Sequence, residues 1–124
     1  MLPDIDSLWN YRYPASTEMK FLDLLPLARQ TQDADYCCQL LSQIARARLL
    51  QRRYDEGHSA LDDAENLLSA DGSSTGHIRC LLERGRAWND QLRVDAARES
   101  FKAAFLLADE NGELRLAVDA LHML

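Results

Sequence analysis

The residues of this chain best suited to nucleophilic or metal chemistry are Cys37, Cys38 and Cys80, together with His58, His77 and His122. A metal site needs closely spaced or convergent ligands, and no His-x-x-x-His, Cys-x-x-Cys or mixed Cys/His spacing occurs. No metal and no other cofactor is therefore expected, and the histidines read as surface or partly packed side chains. Cys37 and Cys38 could pair only through a strained vicinal bond. Cys80 follows His77 by three residues, close enough to touch on a helix. A nucleophile pair would also need an orienting group and an oxyanion site, and neither is visible. No catalytic residue is assigned, and the chain is not read as an enzyme.

Charge offers more. The stretch "YDEGHSALDDAE" carries Asp55, Glu56, Asp62, Asp63 and Glu65. Such carboxylates could hold a cation, but the run reads first as a solvated helix face, with Asp55 and Glu56 complementing the helix dipole. "GRAWND" and "DGSSTG" lack the strand and the lysine of a phosphate loop. Arginine is concentrated instead. Arg46, Arg48, Arg52 and Arg53 lie in one segment and Arg79, Arg84 and Arg86 in another, seven of the fourteen basic residues of a chain whose net charge is −6. Two readings stay open. The arginines line a groove for an acidic or carboxylate-bearing peptide through charge-assisted hydrogen bonds, or they pair with acids on neighbouring helices.

The elements that would position these residues are helical. The 124 residues suit one domain, and 47% apolar content is enough for a core. No run of about 18 apolar residues offers a membrane span, and "MLPDIDSLWN" has no secretory pattern. Buried free thiols in a reducing cytosol fit the odd cysteine count, so a cytoplasmic protein is expected. The acidic balance argues against nucleic acid or an anionic membrane as partner. Apolar residues recur at three- and four-residue spacing. Pro14 and Ser16 signal a first helix that puts Phe21, Leu24, Leu25 and Leu27 on one side. A second places Leu40, Leu41, Ile44 and Ala47 along a stripe; three further helical stretches follow, the last being "ELRLAVDALHML". "SADGSSTG" (69–76) reads as a loop, Asn111-Gly112 as a helix stop, and the breaks at Arg52–Tyr54 and Asn89–Arg93 as tight turns. Pro26 should kink its helix or split it in two, because it removes a hydrogen bond and clashes with the carbonyl of Leu22, at about 3 kcal/mol.

A shift of 40 residues aligns Phe21 with Leu61 and Phe101, Leu24 with Ala64 and Ala104, Leu27 with Leu67 and Leu107, and Leu41 with Leu81 and Leu121. Ala45 meets Gly85, Ala47 meets Ala87, and Gly57 meets Thr17 and Ala97. Within each copy the order is large Leu41 or Leu81, small Ala45 or Gly85, then small Gly57 or Ala97, large Leu61 or Phe101, and small Ala64 or Ala104. This spacing resembles the tetratricopeptide repeat over about residues 17 to 124. Leu41 and Leu81 stand where that family often has Trp, Ser69 and Asp109 where it often closes on Pro, and Arg48 where an aromatic is usual. The packing reason is general: antiparallel helices about 8–10 Å apart need small residues where they cross. Gly57→Leu should overpack that crossing by about 1–3 kcal/mol, whereas Gly57→Ala should be neutral or stabilising.

The resemblance implies an all-α, right-handed α-α superhelix of about five helices. It divides the chain into an aromatic strap at 1–14, a lone helix at 15–31, repeats at 38–71 and 78–111, and a partial repeat at 113–124. It places a concave groove along the first helix of each repeat, lined by Gln39, Ser42, Gln43, Arg46, Leu49 and Leu50, then by Arg79, Leu82, Glu83, Arg86, Asn89 and Asp90. The function implied is protein–protein interaction: a scaffold holding a peptide or partner helix. A regulatory fragment of a larger, bacterial-type regulator and an enzyme with a site between helices are the alternatives. Trp9, Tyr11 and Tyr13 suggest a strap capping the open end over the first helix, or else a partner-binding arm. Leu121 and Leu124 would be exposed on the last helix, suggesting a longer array or docking on another copy or protein.

Overall fold

A computed structural model of the chain describes residues 1–68 and 75–124. Among these residues there are six α-helices and no strand, so the protein is all-α. The helices are α1 (Pro14–Gln30), α2 (Ala34–Leu50), α3 (Tyr54–Glu65), α4 (Thr75–Asp90), α5 (Val94–Glu110) and α6 (Leu114–Met123), after a 3₁₀ turn at Ile5–Leu8. That is one α-helix more than the expected five; the segment after Gly112, expected as the last helical stretch, is α6. Most of the expected loop at 69–76 lies outside the described residues, but Thr75 and Gly76 belong to α4.

Helices α1, α3 and α5 begin at Pro14, Tyr54 and Val94, 40 residues apart. The turns are tight for a definable reason. Gln32, Arg52, Leu92 and Gly112 all take positive φ, between 60° and 69°. A left-handed residue just past a helix end lets the next amide reach back to the last turn. Arg53 N donates to Arg48 O, Arg93 N to Trp88 O and Glu113 N to Ala108 O. Only Gly112 takes this conformation without steric cost; the sequence tolerates Gln, Arg and Leu at the others.

Each helix packs on the next, α3 also lies against α4 as well as α2, and the even helices α2, α4 and α6 touch one another in a row. Among the described residues, α1, α3 and α5 make no mutual contact. One core joins Phe21, Leu40, Ile44, Leu61 and Cys80; a second joins Ile78, Leu82, Phe101, Leu116 and Ala120. Full burial of each such large side chain contributes about 1.5–3 kcal/mol. Leu27 is a correction: it is 56% exposed, and Ala28 takes the buried place beside Leu24 and Leu25. Helix α1 also runs unbroken through Pro26, which lies on the exposed side, so water can satisfy the carbonyl that loses its donor.

The helix crossings are tighter than the sequence implied. A Cβ on Gly57 would stand 2.7 Å from Leu49 Cδ2 and 3.5 Å from the Ala45 carbonyl oxygen. Alanine there must move the flexible end of the Leu49 side chain, which works against the helix-propensity gain of Ala over Gly. Gly85 faces Phe101, whose ring a Cβ would meet at 2.5 Å. The equivalent pair one shift earlier is Ala45 and Leu61. The flat ring of Phe101 needs the deeper gap that glycine leaves.

Candidate functional site

The row of even helices carries an open cleft of about 330 Å³. From α2 it is lined by Gln43 and Arg46, from α4 by Arg79, Leu82, Glu83 and Arg86, and from α6 by Arg115, Leu116 and Asp119; Asp6 and Tyr11 close its rim. A shallower hollow of about 210 Å³ adjoins it, lined by Leu49, Leu50 and Asp90 with Met123 of α6.

Six of the residues expected to line a groove therefore converge on one cleft, and Leu49, Leu50 and Asp90 adjoin it. Gln39 is half-buried, donates to Asp35 at 2.8 Å and accepts from Arg79 at 3.2 Å. Ser42 is a correction: it is fully buried, donating to the Gln39 carbonyl and accepting from Gln43, and it reaches no surface. Asn89 is exposed at the C-terminal turn of α4 and lines neither the cleft nor the hollow. Of the α6 residues, only Asp119 and Met123 carry a signal in the 40-residue register; Arg115 and Leu116 align with no groove position. One more shift of 40 carries Gln39 and Arg79 to Asp119, and Gln43 and Glu83 to Met123.

The two readings of the arginines divide between positions. Arg48 and Arg53 bind Glu18 of α1 at 2.9 and 2.6 Å. Arg84 binds Asp62 and Glu65 of α3 at 2.8 Å each, and donates to His58 Nδ1 at 2.9 Å. These cations are tied to odd helices. With Nδ1 accepting from Arg84, Nε2 of His58 is left to donate to Gln91 at 2.8 Å, and the ring packs beside Trp88. Arg46, Arg79, Arg86 and Arg115 instead face the cleft. Glu83, 2% exposed, sits between Arg46 at 3.4 Å and Arg86. Four guanidiniums thus meet three carboxylates, and one of those, Asp6, comes from the N-terminal segment.

That segment does more than cover α1. Ile5 is buried, Trp9 packs edge-on against Phe21, and the Thr17 hydroxyl holds the backbone of Asn10. It then crosses the even helices. Tyr36 donates to the Pro3 carbonyl at 2.6 Å, and Trp9 Nε1 donates to Gln43 at 2.8 Å. Tyr11 stacks on Trp9 and lies under the Arg46 guanidinium at 5.4 Å. Asp6 accepts from Arg79 at 2.6 Å and stands 3.9 Å from Arg115.

The thiols are unsuited to nucleophilic work. All three are free and buried. Burial pushes Cys38 up to about 11 and raises Cys37 and, further still, Cys80. Each holds its proton at neutral pH. Among the described residues, no group of His, Cys, Asp and Glu is arranged to hold a metal, and no helix is long and apolar enough to cross a membrane. Neither family models nor curated proteins nor solved structures give a match to this chain.

Proposed function

We propose that this protein is an interaction scaffold, a short right-handed superhelix of the tetratricopeptide kind, that holds an acidic peptide along α2, α4 and α6 and performs no chemistry of its own. The observation that carries this reading is the convergence of Arg46, Arg79, Arg86 and Arg115, from three separate helices, on one open cleft. Guanidiniums bind carboxylates in a directed, charge-assisted way, and partly desolvated ones do so more strongly than those in open water. The 40-residue spacing of Pro14, Tyr54 and Val94 at helix starts, and the row of touching even helices, support the superhelical arrangement. The three free thiols support a reducing, cytoplasmic setting.

The test is fluorescence anisotropy with a labelled acidic decapeptide library, at low and moderate salt. The native chain should bind a subset with an affinity that falls as salt rises. Arg46→Ala/Arg86→Ala should weaken that binding at least about tenfold, a loss of about 1.4 kcal/mol. Undiminished binding by the double variant would overturn the reading. A second surface is supported by its own observation: Leu114, Val118 and Leu121 form an exposed stripe on α6, and Leu124 just past its end is exposed too. Association through it predicts that Leu121→Asp lowers the sedimentation coefficient of a concentrated sample; no change would exclude it.

A further inference from the structure

We infer that the N-terminal strap is an internal stand-in for the ligand, and that the cleft takes a peptide in which an acidic residue is followed, five residues on, by an aromatic one. This rests on the scaffold reading above and specifies its partner. The strap is docked in two different ways. Ile5, Trp9 and the backbone of Asn10 anchor it to the core through α1. Asp6 and Tyr11, by contrast, add nothing to that core. Tyr11 is 58% exposed, and both side chains lie on the rim of the cleft.

What those two side chains touch is the charge of the groove. The Asp6 carboxylate takes Arg79 at 2.6 Å, and Tyr11 offers its ring face to Arg46. Carboxylate–guanidinium bonds and cation–π contacts are the interactions a partner peptide would use at the same places. The spacing of Asp6 and Tyr11 is therefore a template for the ligand: an acid to Arg79 and, five residues on, an aromatic under Arg46.

A tethered occupant competes at high effective concentration. A partner meets a cleft that is free only in the fraction of molecules whose strap has lifted, so its apparent affinity is lowered by that fraction. The strap then sets a threshold: weakly acidic segments fail to displace it, and matched ones succeed.

The probe is a labelled synthetic peptide, PDIDSLWNYRY, which reproduces residues 3–13. It is titrated by anisotropy into the full-length native chain and into full-length Asp6→Ala/Tyr11→Ala, which leaves Ile5 and Trp9 in place. The variant should bind at least about tenfold more tightly than the native chain, and adding Arg79→Ala should abolish the gain. Equal affinity in the two chains, or a gain that survives Arg79→Ala, would overturn the inference. Hydrogen–deuterium exchange on the native chain gives a second readout. A saturating acidic decapeptide should raise deuterium uptake in residues 1–13, and unchanged uptake would refute displacement. If decapeptides bind but neither strap effect appears, the stand-in fails while the scaffold stands. If no chain binds either probe, both fail.

Discussion

Two buried glutamates, Glu18 and Glu83, each gather two arginines, and they do opposite things with them. Glu18 on α1 accepts from Arg48, Gln51 and Arg53 at 2.9, 2.9 and 2.6 Å, and Gln51 is itself tethered to the Ala47 carbonyl. Both carboxylate oxygens are engaged, and the knot ties the end of α2 to α1. Glu83 on α4 meets Arg46 at 3.4 Å with both oxygens, and takes Arg86 from its own helix. Its two arginines remain about a quarter exposed, at 26% and 27%, and open onto the cleft. Glu18 binds cations that lie outside the cleft; Glu83 holds Arg86 closely and Arg46 only at 3.4 Å, and both of its cations line the cleft.

The contrast can be broken most forcefully at Glu18. Glu18→Ala leaves Arg48 and Arg53 without their shared anion, and is expected to cost about 2–3 kcal/mol in urea unfolding, with acidic-peptide binding unchanged. The arginines can reach water, which keeps the cost below that of a fully buried break. Gly85→Ala should cost a similar amount, about 2 kcal/mol, through overpacking against Phe101. Acid separates the two causes. Burial alone would raise the Glu18 carboxyl, but the hydrogen bonds from Arg48, Gln51 and Arg53 outweigh it and hold the folded pKa below the ordinary glutamate value. A lowered folded pKa means stability that is complete above the unfolded value and is lost as pH falls through the folded one. The stability gap between native and Glu18→Gln chains should therefore shrink below about pH 4, while the Gly85→Ala gap persists. A Glu18 gap that stays constant from pH 7 to pH 3 would show that the knot acts by packing and not by charge.

Glu83→Gln should behave differently. It is expected to cost only about 1 kcal/mol, since Arg46 and Arg86 are already in contact with solvent. It should raise affinity for an acidic peptide about fivefold, because the competing internal anion is gone. A large loss of stability with no gain in affinity would make Glu83 a second Glu18. The smallest effect belongs to Gly57→Ala, where the flexible end of Leu49 can yield. A melting temperature lowered by a few degrees or less is expected, against a clear drop for Gly85→Ala.

The parts legible in the sequence are those decided within a few turns of one helix. The core positions Phe21, Leu61 and Phe101 are buried, as are Ala64 and Ala104. The turn at Arg52–Tyr54 is tight without glycine, and Gly112 ends α5 in the left-handed conformation. Errors arose where a face is set by neighbours rather than by periodicity. Leu27 matched the apolar spacing yet faces water, and Ser42 fell on a groove position yet lies beneath Gln39 and Gln43. Thr17, aligned with the small Gly57 and Ala97, uses its hydroxyl to hold the strap, a contact with no local signature.

By itself, then, the sequence determined an all-helical chain, its turns, most of its core and the concentration of arginines along two helices. These follow from backbone propensity and from side-chain spacing at 3.6 residues per turn. Only the tertiary structure decided which arginines face the cleft and where the strap lies. A guanidinium on a long flexible stem takes whichever carboxylate folding brings within reach. For Arg48 that is Glu18, 30 residues away, and for Arg79 it is Asp6, 73 residues away. No local spacing encodes such a pairing, because it is set by how the helices and the strap stack.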